Sequence, residues 1–110
     1  MRPFRFFVFA SASLVIASAL AAENVPVFET NCVACHGADG SARTPQGRKV
    51  KARDLRVSKL TDAEIERQIR EGSKNKTGTV VMPAFGRDLT DTQIQEAIRA
   101  VKSFRPPETK

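Results

Sequence analysis

Cys32-Val33-Ala34-Cys35-His36 is the stretch of this 110-residue sequence that decides its fold. It has the C-x-x-C-H spacing that is typical of covalent haem attachment. Thiols at positions i and i+3 lie on one helical turn, so both can add to the vinyl groups of one haem as thioethers. The next residue then places an imidazole under the iron. The stretch therefore predicts one haem c, bound covalently through Cys32 and Cys35, with His36 as an iron ligand.

Residues 1–22 have the pattern of a secretory signal peptide. Two arginines precede an apolar stretch, and the segment closes on the small-x-small sequence Ala19-Leu20-Ala21, which signal peptidase accepts. The uncharged run over residues 6–22 is 17 residues long, against roughly 20 for a helix that spans a membrane. We therefore expect cleavage, export to the periplasm and no stable membrane insertion afterwards. A retained membrane anchor is the alternative.

Residues 23–110 are predicted to be one small domain with too little apolar bulk for an ordinary core. They number 88, of which 29 are Ala, Val, Ile, Leu, Met, Phe or Cys, and three Phe are the only aromatic side chains. A chain this short buries about 60–65% of its unfolded surface. Small exported domains usually compensate with disulfides or a metal. A haem would supply the missing core.

Other uses for the two cysteines do not fit the sequence. A structural zinc site needs four Cys or His ligands, whereas residues 23–110 contain three. A redox-active C-x-x-C lies at a helix start in an α/β fold, and no strand-like alternation surrounds the motif. A disulfide between Cys32 and Cys35 would close too short a loop to stabilise the domain much. None of these alternatives uses His36.

The second axial ligand can be assigned by elimination. Within residues 23–110, Met82 is the only methionine and His36 the only histidine. Met82 lies in an apolar, glycine-bracketed segment, residues 78–86, which we expect to be non-helical because Pro83 biases its predecessor away from the helical region. The competing interpretation makes Met82 a gap-filling core residue. The sequence favours Met82 as an iron ligand.

Together these features resemble a class I monohaem c-type cytochrome. The C-x-x-C-H motif is followed, about forty-five residues later, by Met-Pro-Ala-Phe at residues 82–85 and then by a C-terminal amphipathic helix. The likeness covers residues 25–104. It implies an all-α fold, the small cytochrome c fold of three to four helices around one covalently bound haem, with His36 and Met82 as axial ligands.

Two helices share the start pattern Leu-Thr-Asp-x-x-Ile, at residues 60–65 and 89–94. In the first helix Thr61 is the predicted N-cap, and Glu64 closes a capping box. Gly72 is suited to end that helix. The second helix continues with apolar residues at helical spacing and is stopped by a pair of prolines.

Two contacts around the haem are also expected. The first helix should carry Phe28 toward the C-terminal helix, where Phe104 or Val101 can meet it. The resemblance implies that these two helices cross near the haem edge. It also implies that a backbone carbonyl near a proline orients the proximal imidazole, a second-shell contact that metal-bound histidines generally make. Thr44 or Pro45 is the candidate for that carbonyl.

Residues 43–59 contain seven basic side chains and one acid, Asp54. Most of these bases can simply be solvated. Arg48 or Arg53 is the candidate partner of the haem propionates, and the others could form a docking surface for an acidic redox partner, which would raise the association rate. Nucleic acid is not an expected partner, because the stacking aromatic residues that usually accompany such bases are missing from this segment.

The predicted ligands limit the function. A haem with both axial positions filled has no site for a substrate, which leaves the reversible Fe(III)/Fe(II) step. We therefore expect an electron carrier, not an enzyme, that shuttles single electrons between redox-partner proteins in the periplasm. A haem c subunit of a larger periplasmic oxidoreductase complex is the alternative. A gas-binding or peroxidase-like protein would need a distal polar group, and no second histidine exists to supply it.

Overall fold

The computed structural model describes residues 26–108, and the predicted signal peptide, residues 1–22, lies outside this range. The described elements, in chain order, are α1 (Val27–Asn31), α2 (Val33–His36), α3 (Pro45–Val50), a 3-10 turn (Leu55–Val57), α4 (Asp62–Glu71), β1 (Ser73–Lys74), β2 (Val80–Met82) and α5 (Asp91–Ser103). Over residues 26–108, no helix combines the length and the apolar character that crossing a membrane requires.

The two long helices begin as predicted. The Thr61 hydroxyl accepts a hydrogen bond from the backbone N–H of Glu64 at 3.3 Å. The Glu64 carboxylate in turn accepts one from the Thr61 N–H at 2.8 Å, which completes the capping box of α4. Thr90 and Gln93 make the same reciprocal pair at the start of α5. Gly72 ends α4, as expected.

Helices α1 and α5 meet through an aromatic contact. The ring centroids of Phe28 and Phe104 lie 5.0 Å apart with an interplanar angle of 49°, so the expected partner of Phe28 is confirmed. Gly40 permits this approach, because a Cβ there would lie 2.7 Å from a ring carbon of Phe104. The buried apolar cluster that joins the helices contains Val27, Phe28, Leu55, Ile65, Ile69, Ile94, Ala97, Ile98 and Val101.

The predicted non-helical segment, residues 78–86, contains one short strand. This strand, β2, pairs antiparallel with β1, and Ser73 lies opposite Met82. The connecting turn is closed by the side-chain oxygen of Asn75, which accepts hydrogen bonds from the backbone N–H groups two and four residues on, both at 3.0 Å. The fold is the expected all-α one, and the short ladder brings Met82 beside the end of α4.

Ion pairs tie α4 to α5 at the surface. The Arg70 guanidinium lies 2.9 Å from the carboxylates of both Glu66 and Asp91. The Lys102 ammonium lies 2.9 Å from the carboxylate of Asp62. Such exposed pairs contribute only about 0–1 kcal/mol each. The shared apolar core therefore does most to hold the two helices together.

Candidate functional site

The junction of α1 and α2 places two thiols and an imidazole on one helical turn. The Cys32 carbonyl accepts hydrogen bonds from the backbone N–H groups of Cys35 at 3.2 Å and His36 at 2.9 Å. The Thr44 hydroxyl donates to the carbonyls of Ala34 at 2.7 Å and Cys35 at 3.1 Å. Both thiols are free and half-buried. The motif is thus held by its own backbone and by one side chain from the start of α3.

The His36 ring is oriented by a backbone carbonyl. Its Nδ1 lies 3.0 Å from the carbonyl oxygen of Arg53. Because a carbonyl can only accept, Nδ1 carries the proton and Nε2 keeps a lone pair that is available to a metal. Burial lowers the pKa of His36, and the bond to Arg53 opposes that shift in part. The neutral imidazole is the form that binds metals.

The residue that supplies this carbonyl differs from the one expected. It is Arg53, so the choice of Thr44 or Pro45 is wrong. Thr44 instead caps α3 by accepting a hydrogen bond from a backbone N–H inside that helix at 2.9 Å, and Pro45 is the first residue of α3. The chain turns back after α3 at Lys51, which has a φ of 54°, and this turn precedes the segment that meets His36.

One cavity of 330 Å³ collects all four predicted site residues. The junction of α1 and α2 contributes Cys32, and α2 itself contributes Cys35 and His36. Met82 lines the cavity from β2. Much of the remaining wall is apolar and consists of Phe28, Leu55, Leu60, Ile65, Ile69, Ala97 and Val101. Concave, mostly apolar cavities with a few polar groups are typical binding sites for cofactors. Two thiols, a neutral imidazole and a thioether around an apolar space fit a haem.

The last turn of α4 holds the segment that carries Met82. The Phe85 N–H donates to the carbonyl of Ile69 at 2.9 Å, and the Gly86 N–H donates to that of Arg70 at 3.2 Å. Both bonds use carbonyls near the end of the helix, which lack a complete set of partners within it. The position of Met82 therefore depends on α4 and not only on its own neighbours in the chain.

Two further residues of the α4 end contact Met82. Gly72 has a φ of +67°, and a Cβ there would collide with the carbonyl oxygen of Met82 and lie 2.8 Å from the Ala84 nitrogen. The Gln68 side-chain N–H donates to the Met82 sulfur at 3.5 Å. Gln68 was missed from the sequence, because a glutamine beside Ile69 in an amphipathic helix looks like any other polar surface residue.

Within residues 26–108, the charged side chains around the cavity are all basic. None of the described residues that line it is Asp or Glu, whereas Lys51, Arg53 and Lys74 line it and are exposed. We call these three residues the basic rim. Of the two expected propionate partners, Arg53 lines the cavity and Arg48 does not. Lys74 was missed because it lies outside the basic segment of the sequence and reaches the cavity through the β1–β2 ladder.

The Cys32 thiol does not have the electrostatics of an attacking thiol. Burial and, to a smaller extent, the neighbouring Cys35 raise the pKa of Cys32 to about 11. Attacking thiols in C-x-x-C oxidoreductases have a lowered pKa instead. The site therefore favours the haem interpretation of the motif over the dithiol one.

Comparison with known families agrees with this geometry. Residues 19–99 match the family model described as cytochrome c oxidase, cbb3-type, subunit III. The chain belongs to this family of c-type cytochromes. The resemblance to a monohaem c-type cytochrome is thereby confirmed, together with the small all-α cytochrome fold. The protein is an electron-transfer haem protein.

Individual relatives of this cytochrome include a cytochrome c6, a c-type cytochrome of known structure and a chain of a protein complex. Cytochrome c6 of Pyropia yezoensis is 34% identical over 101 residues, which cover 91% of this chain and 84% of the relative. The structure of the KustC0563 c-type cytochrome matches with 27% identity and a TM-score of 0.63, over 73% of this chain and 94% of that one. A chain of the Kuenenia stuttgartiensis reducing HAO-like protein complex Kustc0457/Kustc0458 matches with 25% identity and a TM-score of 0.60, over 72% of this chain and 40% of its own.

Proposed function

We propose that this cytochrome carries single electrons between partner proteins through one haem c, bound to Cys32 and Cys35 and ligated by His36 and Met82. The observation that carries the proposal is the single cavity lined by all four side chains. When bound, the haem supplies a reversible Fe(III)/Fe(II) couple. The chain supplies the two attachment points, the ligands and a largely apolar wall.

The polar side chains of the cavity favour transfer over ligand binding. The side-chain N–H of Gln68 donates a hydrogen bond to the Met82 sulfur at 3.5 Å. Histidine is present once in the chain, and its Nδ1 is already paired with Arg53. With Met82 as a ligand, no position stays open for oxygen, peroxide or another substrate. We therefore propose that the protein has no enzymatic activity of its own.

Carbon monoxide binding and potentiometry test this function together. The reduced holoprotein should bind carbon monoxide slowly or not at all, and its titration should follow a one-electron curve that is the same in both directions. Met82→Ala is the informative variant, and Leu89→Ala, outside the cavity, is the matched control. Rapid carbon monoxide binding by the wild type, at the rate of Met82→Ala, would refute the carrier assignment.

Covalent attachment is tested separately by mass. The acid-denatured protein should be heavier than the mature polypeptide by one haem, and residues 1–22 should be missing from it. A mass without haem, or with two, would contradict the proposed stoichiometry. Retention of the first 22 residues would instead support a membrane anchor, and it would leave the haem proposal standing.

We also propose that the partners are acidic and approach the basic rim in the periplasm. Lys51, Arg53 and Lys74 are exposed and make no ion pair within the described residues. Side chains of one charge sign at the mouth of a cavity steer oppositely charged partners toward it. They thereby raise the rate of encounter at low salt. The side chain of Val80, which lies opposite Lys74 on the neighbouring β2, is exposed and offers an apolar contact to such a partner.

Small oxidants of opposite charge test this steering. Changing all three rim residues to Gln should slow oxidation by anionic ferricyanide and accelerate oxidation by a cationic cobalt complex. Arg99→Gln, an exposed base on α5 that does not line the cavity, is the control. Equal effects of the triple variant and the control would show that the rim does no steering.

Membership of a larger oxidoreductase complex is the second candidate. It is supported by the family description, which names a subunit of an oxidase, and by the structural match to a chain of a protein complex. Gentle extraction and size-exclusion chromatography separate the two candidates. A free carrier should elute at the size of one chain, whereas a subunit should elute with stoichiometric partners.

A further inference from the structure

The start of α3 is hydrogen-bonded to the C-x-x-C-H turn through the Thr44 side chain. The Thr44 hydroxyl donates to the carbonyl of Ala34 at 2.7 Å and lies 3.1 Å from that of Cys35. The same oxygen accepts a hydrogen bond from the Gly47 N–H at 2.9 Å. Helix α2 has only four residues, so the carbonyls near its end find no N–H further along the helix. The hydroxyl therefore supplies a donor that this short turn lacks.

Gly47 lets α3 lie directly against the turn. A Cβ at this position would collide with the Cys35 carbonyl oxygen and would lie 2.7 Å from the Ala42 carbonyl oxygen. Gly47 is buried and lies inside α3, although glycine is disfavoured relative to alanine in a helix. The close approach of the two backbones accounts for a residue that helix propensity alone would not select.

The same segment of chain fixes the carbonyl that orients the His36 ring. The Gly47 carbonyl accepts a hydrogen bond from the Ala52 N–H at 2.8 Å. The next residue, Arg53, supplies the oxygen that lies 3.0 Å from the His36 Nδ1. The contacts thus form a closed circuit that leaves His36 through the Cys35 carbonyl, crosses α3 and returns to the imidazole. One segment holds both the backbone and the ring of this residue.

The orientation of the ring depends on how closely α3 lies against α2. Outer hydrogen bonds fix the tautomer and the ring orientation of metal-binding histidines. The Arg53 carbonyl can do this only if it stays in line with Nδ1, and its position follows from that of α3. Thr44 is not among the described residues that line the cavity. Its side chain nevertheless makes the contact on which this alignment depends.

We propose that Thr44 is a positioning residue that sets the orientation of the His36 imidazole by holding α3 against the C-x-x-C-H turn. The inference rests on the proposed ligation of the haem by His36. Without the hydroxyl, α3 moves away from the turn, and the Arg53 carbonyl moves out of line with the ring. The Nδ1 proton is then less protected from water. The hydrogen bonds within the turn remain, so the thioethers and the ligands stay in place.

Proton NMR of matched holoprotein variants tests the proposal. Thr44→Val keeps the shape of the side chain and removes the hydroxyl, whereas Thr44→Ser keeps the hydroxyl. Thr44→Asp can still cap α3 but cannot donate to the carbonyls of the turn. Thr92→Val makes the first change at an exposed position of α5. The readouts are the exchange rate of the His36 Nδ1 proton with water and the haem methyl shifts of the ferric protein, which depend on the orientation of the axial ligands.

The Nδ1 proton of Thr44→Val and Thr44→Asp should exchange about three- to tenfold faster than in the wild type, the factor that corresponds to one lost hydrogen bond. Both variants should also change the pattern of haem methyl shifts, while Thr44→Ser and Thr92→Val should match the wild type. Unchanged exchange and shifts in Thr44→Val would overturn the inference and leave His36 ligation intact. A changed Thr44→Val with a wild-type Thr44→Asp would also overturn it, because the effect would then come from capping of α3. A ferric wild type without the shifted ring-proton resonances of a bound imidazole would instead refute ligation by His36.

Discussion

The two sides of the cavity differ in what holds the proposed haem ligands in place. On the proximal side, Cys32, Cys35 and His36 share one helical turn, and the Cys32 carbonyl bonds to the other two residues at 3.2 and 2.9 Å. On the distal side, Met82 stands alone and is positioned by α4, whose residues lie 10 to 14 positions earlier in the chain. The proximal residues thus share local backbone hydrogen bonds, supplemented by Thr44 and the Arg53 carbonyl, whereas Met82 is held only by tertiary contacts and its strand pairing.

This difference predicts unequal sensitivity to mutation. A local turn keeps its geometry as long as its own hydrogen bonds form. A tertiary ligand can be displaced by a change at a residue that touches neither the iron nor the cavity.

Removal of the proximal attachment points should have the largest effect. In Cys32→Ala/Cys35→Ala we expect no haem to remain after denaturation. We also expect loss of the helical circular dichroism signal, because residues 23–110 contain few large apolar side chains to replace the cofactor. Ala34→Ser, between the two cysteines, should keep both properties. A cooperative, helical, haem-free double variant would show that the polypeptide core suffices.

Removal of the distal ligand should leave the haem attached. Met82→Ala should lose the ferric far-red band and bind carbon monoxide when reduced, and it should keep its helical content. The reason is that α4 and α5 share a core in which Met82 is only a half-buried neighbour. Loss of covalent haem from this variant would mean that the two sides are not independent.

Gly72 allows the tertiary dependence of Met82 to be measured. Gly72→Ala combines a positive φ with a collision against the Met82 carbonyl, whereas Gly78→Ala has a φ of +84° and no atom within 4 Å of the new Cβ. We expect destabilisation by about 1 kcal/mol for Gly78→Ala and about 3 kcal/mol for Gly72→Ala. Thermal unfolding followed at the far-red band measures both. Equal losses would show that backbone strain alone, without the contact to Met82, explains Gly72.

The smallest expected effect is on the pH dependence of stability, and it comes from the loop that carries the Arg53 carbonyl. The Arg56 side chain, through its hydrogen bonds, lowers the pKa of Asp54 from 3.8 to about 2. Because the folded-state pKa is depressed, the stabilisation is present above about pH 3.8 and is lost as the pH falls through about 2. Asp54→Asn keeps the oxygen that accepts from the Arg56 backbone but cannot titrate. Its melting temperature should therefore fall less than that of the wild type across this pH window.

The features that the sequence predicted correctly are mainly the local ones. Several features depend only on neighbours within four to eleven residues, and all of these are found as predicted. They are the C-x-x-C-H turn, the capping boxes at Thr61 and Thr90, and the end of α4 at Gly72. Met82 could be singled out because residues 23–110 contain no other methionine. Singling out Met82 by elimination required no knowledge of the fold.

The contacts that could not be predicted join distant segments. The Arg53 carbonyl meets His36 because the chain reverses after α3, and no residue pattern distinguishes one backbone carbonyl from the next. The contact of Gln68 with Met82 depends on how the β1–β2 ladder folds back on α4. Lys74 reaches the cavity through the same ladder. Patterns within one helix indicate which face is buried, but they do not indicate which polar group or backbone carbonyl will contact it.

Proton NMR of the reduced holoprotein tests ligation by Met82 most directly. A methyl group bound above the face of a haem is shifted far upfield by the ring current. The wild-type spectrum should therefore contain one three-proton resonance well upfield of all other methyl signals, and Met82→Ala should lack it. A wild-type spectrum without this resonance, from a protein that binds carbon monoxide when reduced, would contradict the assignment of Met82 as the distal ligand.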